Sequence, residues 1–511
     1  MPSFAPLLPT SPAFVEYQAR RRGSHGGLAF DDRRCTYGEL ATAIEELGQW
    51  LRRRGLGRSD AIGVLAANEP ALVAMLYAVW GLGAIAVPVS VRATAGEIAS
   101  QLEHARARAL VCDAKRVDRA RDGAAAIGLP VFACEPAPPL RPTIVRRPRR
   151  RLRGRPREAR AEALAVIAYT SGSSGDPKGV MLTHRNLFWA TLACAQARGD
   201  RPESVGACLS ALTHVPVLVS HLLCRIFLGG TAVLLERFDV DAVLESAARF
   251  GVTDLPLIGG MVFDVIDRTG VPDAVRRTVR KVSVGGAPTP MEAKRRLAAL
   301  FEDAEIIEAY GQTESTDGLL MARGASVFER EGTVGTANPH VHVAIARADG
   351  TPADVGEEGE IVVAGPTVMA GYYRNPQATR AALRGGWLHT GDLGRADADG
   401  YFFLSGRVKD VIITGGENVA PLEVEEVLRL HPDVADVAVI GTPHPKWGEQ
   451  VTAIVVRRDG AAIDGATLVH FAGERLAGFK KPRRIEFVAS LPRNAHNKVQ
   501  THLLKQEFGA T

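Results

Sequence analysis

Apolar positions along the first 330 residues switch between helical spacing and short unbroken runs. TYGELATAIEELGQWLRRRG (36–55) places apolar residues at helical intervals and stops at Gly55, which predicts an amphipathic helix. DAIGVLAAN (60–68) predicts a strand and ALVAMLYAVWGLGA (71–84) a helix buried on all sides; AIAVPVS, a helix around 95–106 and ARALVCD continue the series. Further on, ALAVIAY (163–169), TAVLLE (231–236), KVSVGG (281–286) and AEIIEAYG (304–311) predict strands, and 186–197 a helix. Such alternation predicts an α/β fold with largely parallel sheets flanked by helices, here as two sheet subdomains. Between about 333 and 405 short strands and turns predict a β-rich subdomain. After Arg407 a helix at 421–430, two strands, a helix at 466–476 and the strand RRIEFVA predict a small, compact α+β domain joined by a short hinge. The expected division is a large domain over 1–406, a hinge at 407–411 and a small domain over 412–511.

At 511 residues the chain exceeds what one core supports. Its 46% hydrophobic and 23% charged content suits a globular enzyme, and its net charge of +5 is mild. Nine arginines crowd 146–160, without aromatics or helical amphipathicity; the surrounding 136–162 is expected to be a disordered loop rather than a nucleic-acid patch. The six cysteines (Cys35, Cys112, Cys134, Cys194, Cys208, Cys224) form no CxxC pair, which favours a reducing compartment and no zinc site. With no secretory pattern and no long uncharged apolar window, a cytoplasmic protein is expected.

The segment YTSGSSGDPKGVMLTHRN (169–186) carries the strongest chemical signal. Glycines let the backbone curl against a ligand, hydroxyls and freed amides donate to phosphate oxygens, and Lys178 supplies a cation. It is not a Walker A loop, because Pro177 precedes Lys178 and Gly179 follows it. Downstream, in order, stand His214 in ALTHVPVL, VGGAP (284–288), EAYGQTES (308–315), WLHTGDLG (387–394), SGRVKDVIITGGENVAP (405–421) and LPRNAHNKVQ (491–500).

Taken together these segments resemble, almost end to end, the adenylate-forming superfamily of acyl- and aryl-CoA synthetases, peptide-synthetase adenylation domains and luciferases. The GGEN segment, Lys446-Trp447-Gly448 and Asn497 before Lys498 are most similar to bacterial aryl-CoA ligases of the 4-chlorobenzoate type. The resemblance implies an acid–thiol ligase using ATP, Mg²⁺ and coenzyme A. It implies that Thr170, Ser171, Gly172, Ser173, Ser174, Gly175 and Lys178 embrace the β- and γ-phosphates. Thr313 would meet the α-phosphate and Glu314 would hold Mg²⁺, for which a hard oxygen ligand is suited. Gly286, Ala287 and Pro288, with Glu308, Ala309, Tyr310 and Gly311, would form the adenine slot; Asp392 would accept from the ribose and Arg407 add a second contact. Lys498 would carry its ammonium between the substrate carboxylate and the α-phosphate, although Asn497 replaces the usual glycine and Thr501 and His502 a frequent basic pair.

For thioester formation the resemblance implies that the small α+β domain is mobile and turns about Lys409, bringing Gly415, Gly416 and Glu417 to a pantetheine tunnel. Trp447 would stack on the CoA adenine, and Phe479, Lys480, Lys481 and Arg483 would meet its 3′-phosphate. His214 would guard the mouth of an acyl pocket formed by Phe188, Val215, Pro216, Val217, Ile258, Gly285, Gly286, Ala309, Gly311, Thr316 and Asp317. No arginine among these answers a second carboxylate, and Pro216 stands where amino-acid-activating domains keep an acid; Asp317 would accept from a ring hydroxyl or face water. An aromatic or alicyclic monocarboxylate is therefore expected. A medium-chain fatty acid, and a standalone enzyme loading a carrier protein, stay open as alternatives, as does a homodimer. A non-catalytic binding protein is disfavoured by retention of Lys178, Glu314, Asp392 and Lys498.

Overall fold

Helix and strand boundaries follow the sequence pattern wherever a local signal fixes them. In the computed structural model, which describes residues 11–135, 143–146, 160–170, 178–286, 289–493 and 499–509, the helix Tyr37–Arg53 opens on a capping box between Thr36 and Glu39. Its buried face is Tyr37, Leu40, Ala43, Leu47 and Leu51, the spacing of one helical stripe. The helix Pro70–Gly81 is buried on every face from Pro70 to Trp80, as an apolar run without polar stripe requires, and Trp80 donates its indole N–H to the Ala165 carbonyl at 2.9 Å.

The chain divides into two compact units, Met1–Val343 with Val363–Leu388, and Ala344–Val362 with His389–Thr511. The first contains two sheets. In one, the strands Gly26–Phe30, Thr231–Leu234, Val205–Cys208, Asp254–Ile258, Lys281–Gly285 and Glu305–Gly311 run parallel in that order. In the other, Val131–Cys134, Ala109–Asp113, Ala61–Leu65, Ile85–Pro88 and Leu164–Thr170 are parallel, and Lys178–Thr183 then Gly371–Tyr372 add antiparallel strands.

One strand was missed here and one expectation changes. Lys178–Thr183 pairs antiparallel with Leu164–Thr170, so the glycine-rich segment joins two strands, and the helix expected at 186–197 follows as His184–Arg198. KGVMLT was hidden because its apolar alternation is only a few residues long. Within 136–162, Thr143–Arg146 forms an edge strand against Val131–Cys134; a threonine, an isoleucine and a valine outweigh the flanking Pro and Arg. The rest of that segment, apart from 160–162, lies outside the described residues.

In the second unit the strands of Asp392–Ala396 and Phe402–Arg407 pair antiparallel, and a five-stranded sheet forms from Ile412–Thr414, Glu417–Val419, Val434–His444, Gly448–Arg457 and Arg484–Val488. Helices Pro421–Arg429 and Gly465–Gly473 cover its core of Ile412, Val424, Leu428, Val439, Val455 and Leu468. The C-terminal helix Thr501–Phe508 and the N-terminal helix Ser11–Arg22 were not expected from the pattern. All six cysteines are buried and free, and among the described residues no helix is long and apolar enough to cross a membrane.

Candidate active site

Three parallel strands of the first unit end side by side, and their final residues are in register: Ile258 opposite Gly285, and Gly285 opposite Ala309. The carboxyl ends of parallel strands are where open α/β sheets bind ligands, because loops diverge there and leave a crevice. Gly286 follows, exposed, and Tyr310 and Gly311 continue the third strand, half-buried. Next comes a tight turn, Thr313–Ser315, in which the Ser315 hydroxyl donates to the Gln312 carbonyl at 2.8 Å. Thr313 is buried and Glu314 half-exposed.

The segment 366–373 braces this turn. Met369 N–H donates to the Glu314 carbonyl at 2.9 Å, and the Thr316 hydroxyl donates to the Thr367 carbonyl at 2.5 Å. Asn186, in the first turn of the helix His184–Arg198, donates its amide to the carbonyls of Pro366 and Val368, both at 2.8 Å. At the end of this brace the Tyr372 hydroxyl donates to Glu314 Oε1 at 2.9 Å, and Lys178 Nζ stands 5.2 Å from the Tyr372 ring centre. Thr170 and Lys178 face each other across the last rung before the glycine-rich segment. Ser171, Gly172, Ser173, Ser174 and Gly175, with Ala287, Pro288 and Lys498, lie outside the described residues. Among the described residues no three His, Cys, Asp or Glu side chains form a metal cage. One half-exposed carboxylate, Glu314, is what Mg²⁺ needs from a protein when phosphates and water complete its octahedron, so the donor set fits that ion.

The expected acyl-pocket residues separate into two groups. Phe188, Pro216, Ile258, Gly285, Gly286, Ala309 and Gly311 keep some exposure, as does His214, which heads the turn Val215–Val217. Phe188 packs among Phe14, Trp189 and Phe227. Val215, Val217, Thr316 and Asp317 are sealed. Asp317 does not face water: its carboxyl takes the Gly318 amide and lies beside the Cys194 thiol, and burial pushes it up to about 7 despite Arg198 nearby. Glu308 likewise is no open nucleotide ligand, since its carboxylate pairs with buried Lys294 at 2.7 Å while burial pushes it up to about 7.

A pH dependence follows from Asp317. Its proton is held more tightly in the folded than in the unfolded chain, so stability falls as pH rises from about 4 to about 7. Asp317→Asn removes this ionisation. The displacement from 3.8 to about 7 corresponds to at most ~4 kcal/mol. Urea midpoints of the two proteins should therefore diverge in favour of the variant between about pH 4 and about pH 7. Parallel midpoints across that range would refute the assignment; Glu308 retains its own slope in both proteins.

In the second unit Asp392 and Arg407 are cross-strand partners, Arg407 Nε donating to Asp392 Oδ1 at 2.7 Å. Glu360, absent from the sequence reading, orients this turn: its carboxylate meets His389 Nδ1 at 2.7 Å and accepts from the Gly391 amide at 2.9 Å. Lys409 is exposed in the short turn Val408–Asp410. Gly415 and Gly416 form a two-residue hairpin loop with φ of 63° and 88°, the left-handed pair that such loops demand, and Glu417 begins the return strand. Trp447 lies on Gly415, where a Cβ would come within 2.8 Å of the indole. Around that ring stand the Lys446 ammonium at 4.6 Å and the Arg483 guanidinium at 4.8 Å. Lys481 and Arg483 line one shallow depression with His470, while Phe479 packs on the core. Lys480 departs from the expected phosphate cluster: its ammonium pairs with Glu423 at 2.7 Å.

Sequence reasoning missed Tyr372, Glu360 and Lys294. The signal for Tyr372 was GYYRN (371–375), a short aromatic run a few residues past the strand EGEIVVAG; the other two act through partners that no motif brings together.

The AMP-binding enzyme family matches residues 15–373, and the AMP-binding enzyme C-terminal domain matches residues 423–498. The feruloyl-CoA synthase of Amycolatopsis sp is 34% identical over 490 residues, covering 95% of this chain and 95% of that protein. Among solved structures, ATP-bound MatB from Rhodopseudomonas palustris is 28% identical with a TM-score of 0.87, covering 98% of this chain and 99% of MatB. The o-succinylbenzoate CoA synthetase of Bacillus subtilis, in complex with its acyl-adenylate intermediate, has a TM-score of 0.85 at 28% identity, with 98% and 99% covered. Matched across both domains, the chain belongs to the AMP-binding enzyme family and is an AMP-forming ligase of the adenylate-forming superfamily that includes the acyl- and aryl-CoA synthetases.

Proposed function

We propose that this enzyme joins an aromatic or alicyclic monocarboxylate to coenzyme A at the expense of ATP, in two steps. The carboxylate oxygen attacks the α-phosphorus, releasing pyrophosphate and leaving an acyl-adenylate. The CoA thiol then attacks the acyl carbon, losing its proton and expelling AMP. The observation that carries this reading is the convergence of Lys178 and Glu314 on Tyr372, a cation and a carboxylate drawn together from two distant motifs at the rim of the glycine-rich segment. That is the charge pattern a triphosphate with its metal calls for. Mg²⁺, when bound, neutralises phosphate oxygens and eases departure of pyrophosphate.

For the chain's own groups the roles follow from their chemistry. Lys178, with Thr170 and Ser171 to Gly175, grips the β- and γ-phosphates; Thr313 meets the α-phosphate; Asp392 and Arg407 take the ribose; Gly286 to Pro288 and Tyr310 take adenine. Lys498 pairs with the reacting carboxylate. A hinge at 407–411 with Lys409 separates the two half-reactions, and Gly415, Gly416 and Trp447, with Lys481 and Arg483, receive CoA. The indole with two cations close to its ring supports that last assignment, since it sets an aromatic surface beside charges suited to phosphate. Six buried free cysteines support a cytoplasmic setting.

The aromatic preference rests on the partly open, apolar residues around His214 and on the feruloyl-CoA and o-succinylbenzoate relatives. The test is a panel of benzoates, cinnamates and alicyclic acids against C6–C12 fatty acids, with ATP and free CoA, read as AMP release. Aromatic or alicyclic acids should turn over at least on the order of tenfold faster in kcat/KM. Turnover of the aliphatic acids alone would defeat the substrate proposal, and thioester formation only on a carrier protein would defeat the CoA proposal.

A further inference from the structure

Lys178 opens a strand and Glu314 sits in a turn of a different motif, yet one phenol meets both. We infer that Tyr372 is a positioning residue that sets the metal-holding carboxylate and the phosphate-holding ammonium relative to each other before ATP arrives; this rests on the proposed roles of Lys178 and Glu314. Tyr372 is itself fixed from three directions. Its strand pairs with Lys178–Thr183, with Gly371 opposite Met181 and Tyr372 opposite Val180. Its own amide donates to the Thr379 hydroxyl at 2.9 Å, and the next amide, of Tyr373, donates to the Gly179 carbonyl at 2.7 Å. The ring therefore cannot drift along the strand.

From this anchor the two contacts act differently. The hydroxyl donates to Glu314 Oε1 at 2.9 Å and so orients a carboxylate that stays half-exposed and open to a cation. The ring face lies 5.2 Å from Lys178 Nζ, inside the range at which an ammonium is drawn to an aromatic ring, and it limits where that flexible side chain rests. A carboxylate and a lysine that must otherwise find their rotamers on binding are ordered beforehand, and less ordering entropy is lost when the charged ligand enters.

Phenylalanine separates the two contacts, since it keeps the ring and deletes the donor, whereas leucine deletes both. Tyr372→Phe should weaken Mn²⁺ binding to the enzyme–ATP complex, followed by electron paramagnetic resonance, on the order of tenfold. It should raise the Mg²⁺ needed for half-maximal ATP–pyrophosphate exchange by a similar factor, with KM for ATP moved less than about threefold. Tyr372→Leu should raise both. A purely structural role predicts that both variants shift metal, ATP and carboxylate constants together, and that result would overturn the inference. So would wild-type Mn²⁺ affinity in Tyr372→Phe while Glu314→Gln loses it. If Glu314→Gln binds Mn²⁺ as tightly as wild type, the assignment of Glu314 fails instead, and with it the premise.

Discussion

Lys498→Ala should abolish most of the adenylating half-reaction while leaving the thioester-forming half-reaction nearly intact. Two anions must approach each other in the first step, the substrate carboxylate and the α-phosphate, and negative charge concentrates on the oxygens between them. An ammonium delivered there is stronger in the transition state than in the ground state, which is the condition for raising the rate rather than only the affinity. Removing one preorganised electrostatic group of this kind lowers kcat on the order of 10²–10³-fold. The second step has no such need, because the adenylate is already activated and AMP leaves as a good leaving group. ATP–pyrophosphate exchange should therefore fall by that factor, while conversion of chemically prepared acyl-adenylate and CoA to thioester stays within about threefold of wild type. Lys498→Arg, which keeps the charge but spreads it over a planar fork, should recover only part of the exchange. Equal losses in both half-reactions, or undiminished exchange, would remove Lys498 from the chemistry.

How far the sequence carried this reading depended on the range of each interaction. Elements with long apolar periodicity or a local cap were legible: the fully apolar Pro70–Gly81, the capped Tyr37–Arg53 and the parallel strands around Lys281–Gly285 appear within a few residues of expectation. Short elements were not. Ile412–Thr414 has three residues, too few to display a period, although the Gly415-Gly416 pair beside it was a turn signal. Thr501–Phe508 is barely two turns and its one buried residue, Leu504, makes no pattern. Motifs singled out Lys178, Glu314, Asp392 and Arg407 as candidates, because each sits in a segment with its own composition. They could not tell an open side chain from a committed one. Glu308 and Lys480 read as ligand groups in sequence and are held by Lys294 and Glu423 in the fold, pairings that exist only once distant elements meet.

Asp200→Asn is expected to be among the most destabilising conservative changes in the large domain, at about 3–5 kcal/mol near neutral pH. Asp200 follows Gly199, the left-handed cap that ends the helix His184–Arg198, and its carboxylate collects three cations: Arg198 Nε at 3.3 Å, Arg225 at 2.9 Å and Lys281 Nζ at 2.9 Å. Asp254 shares the same arginines, at 3.3 and 3.5 Å. The side chains of Arg198, Asp200, Arg225 and Asp254 are at most 4% exposed, so water cannot replace a lost partner. Arg225 reaches the cluster by crossing Gly206, where a Cβ would meet its Nε at 2.6 Å. Three cations on two carboxylates are tolerable; three on one are not, and that imbalance outweighs the small loss of hydrogen bonding that an isosteric amide would otherwise cause. Burial pushes the Asp200 carboxyl up, but Arg198, Arg225 and Lys281 outweigh it and hold the group down at about 2. A depressed carboxyl stabilises the fold above its unfolded value of 3.8 and loses that contribution as pH falls toward about 2. The gap between wild type and variant in urea denaturation should accordingly be full near neutrality and shrink below about pH 4. The cluster also explains a division of labour within the sheet. It binds the amino ends of Asp254–Ile258 and Lys281–Gly285 to the helix whose first turn, through Asn186, braces the turn bearing Glu314 at their carboxyl ends. Loss of Asp200 should therefore loosen the ligand end as well, raising the Mg²⁺ requirement of pyrophosphate exchange at temperatures where the variant is still folded. An Asp200→Asn protein that unfolds with wild type at neutral pH would show the ion cluster to be dispensable, and the helix to be held by its apolar face alone.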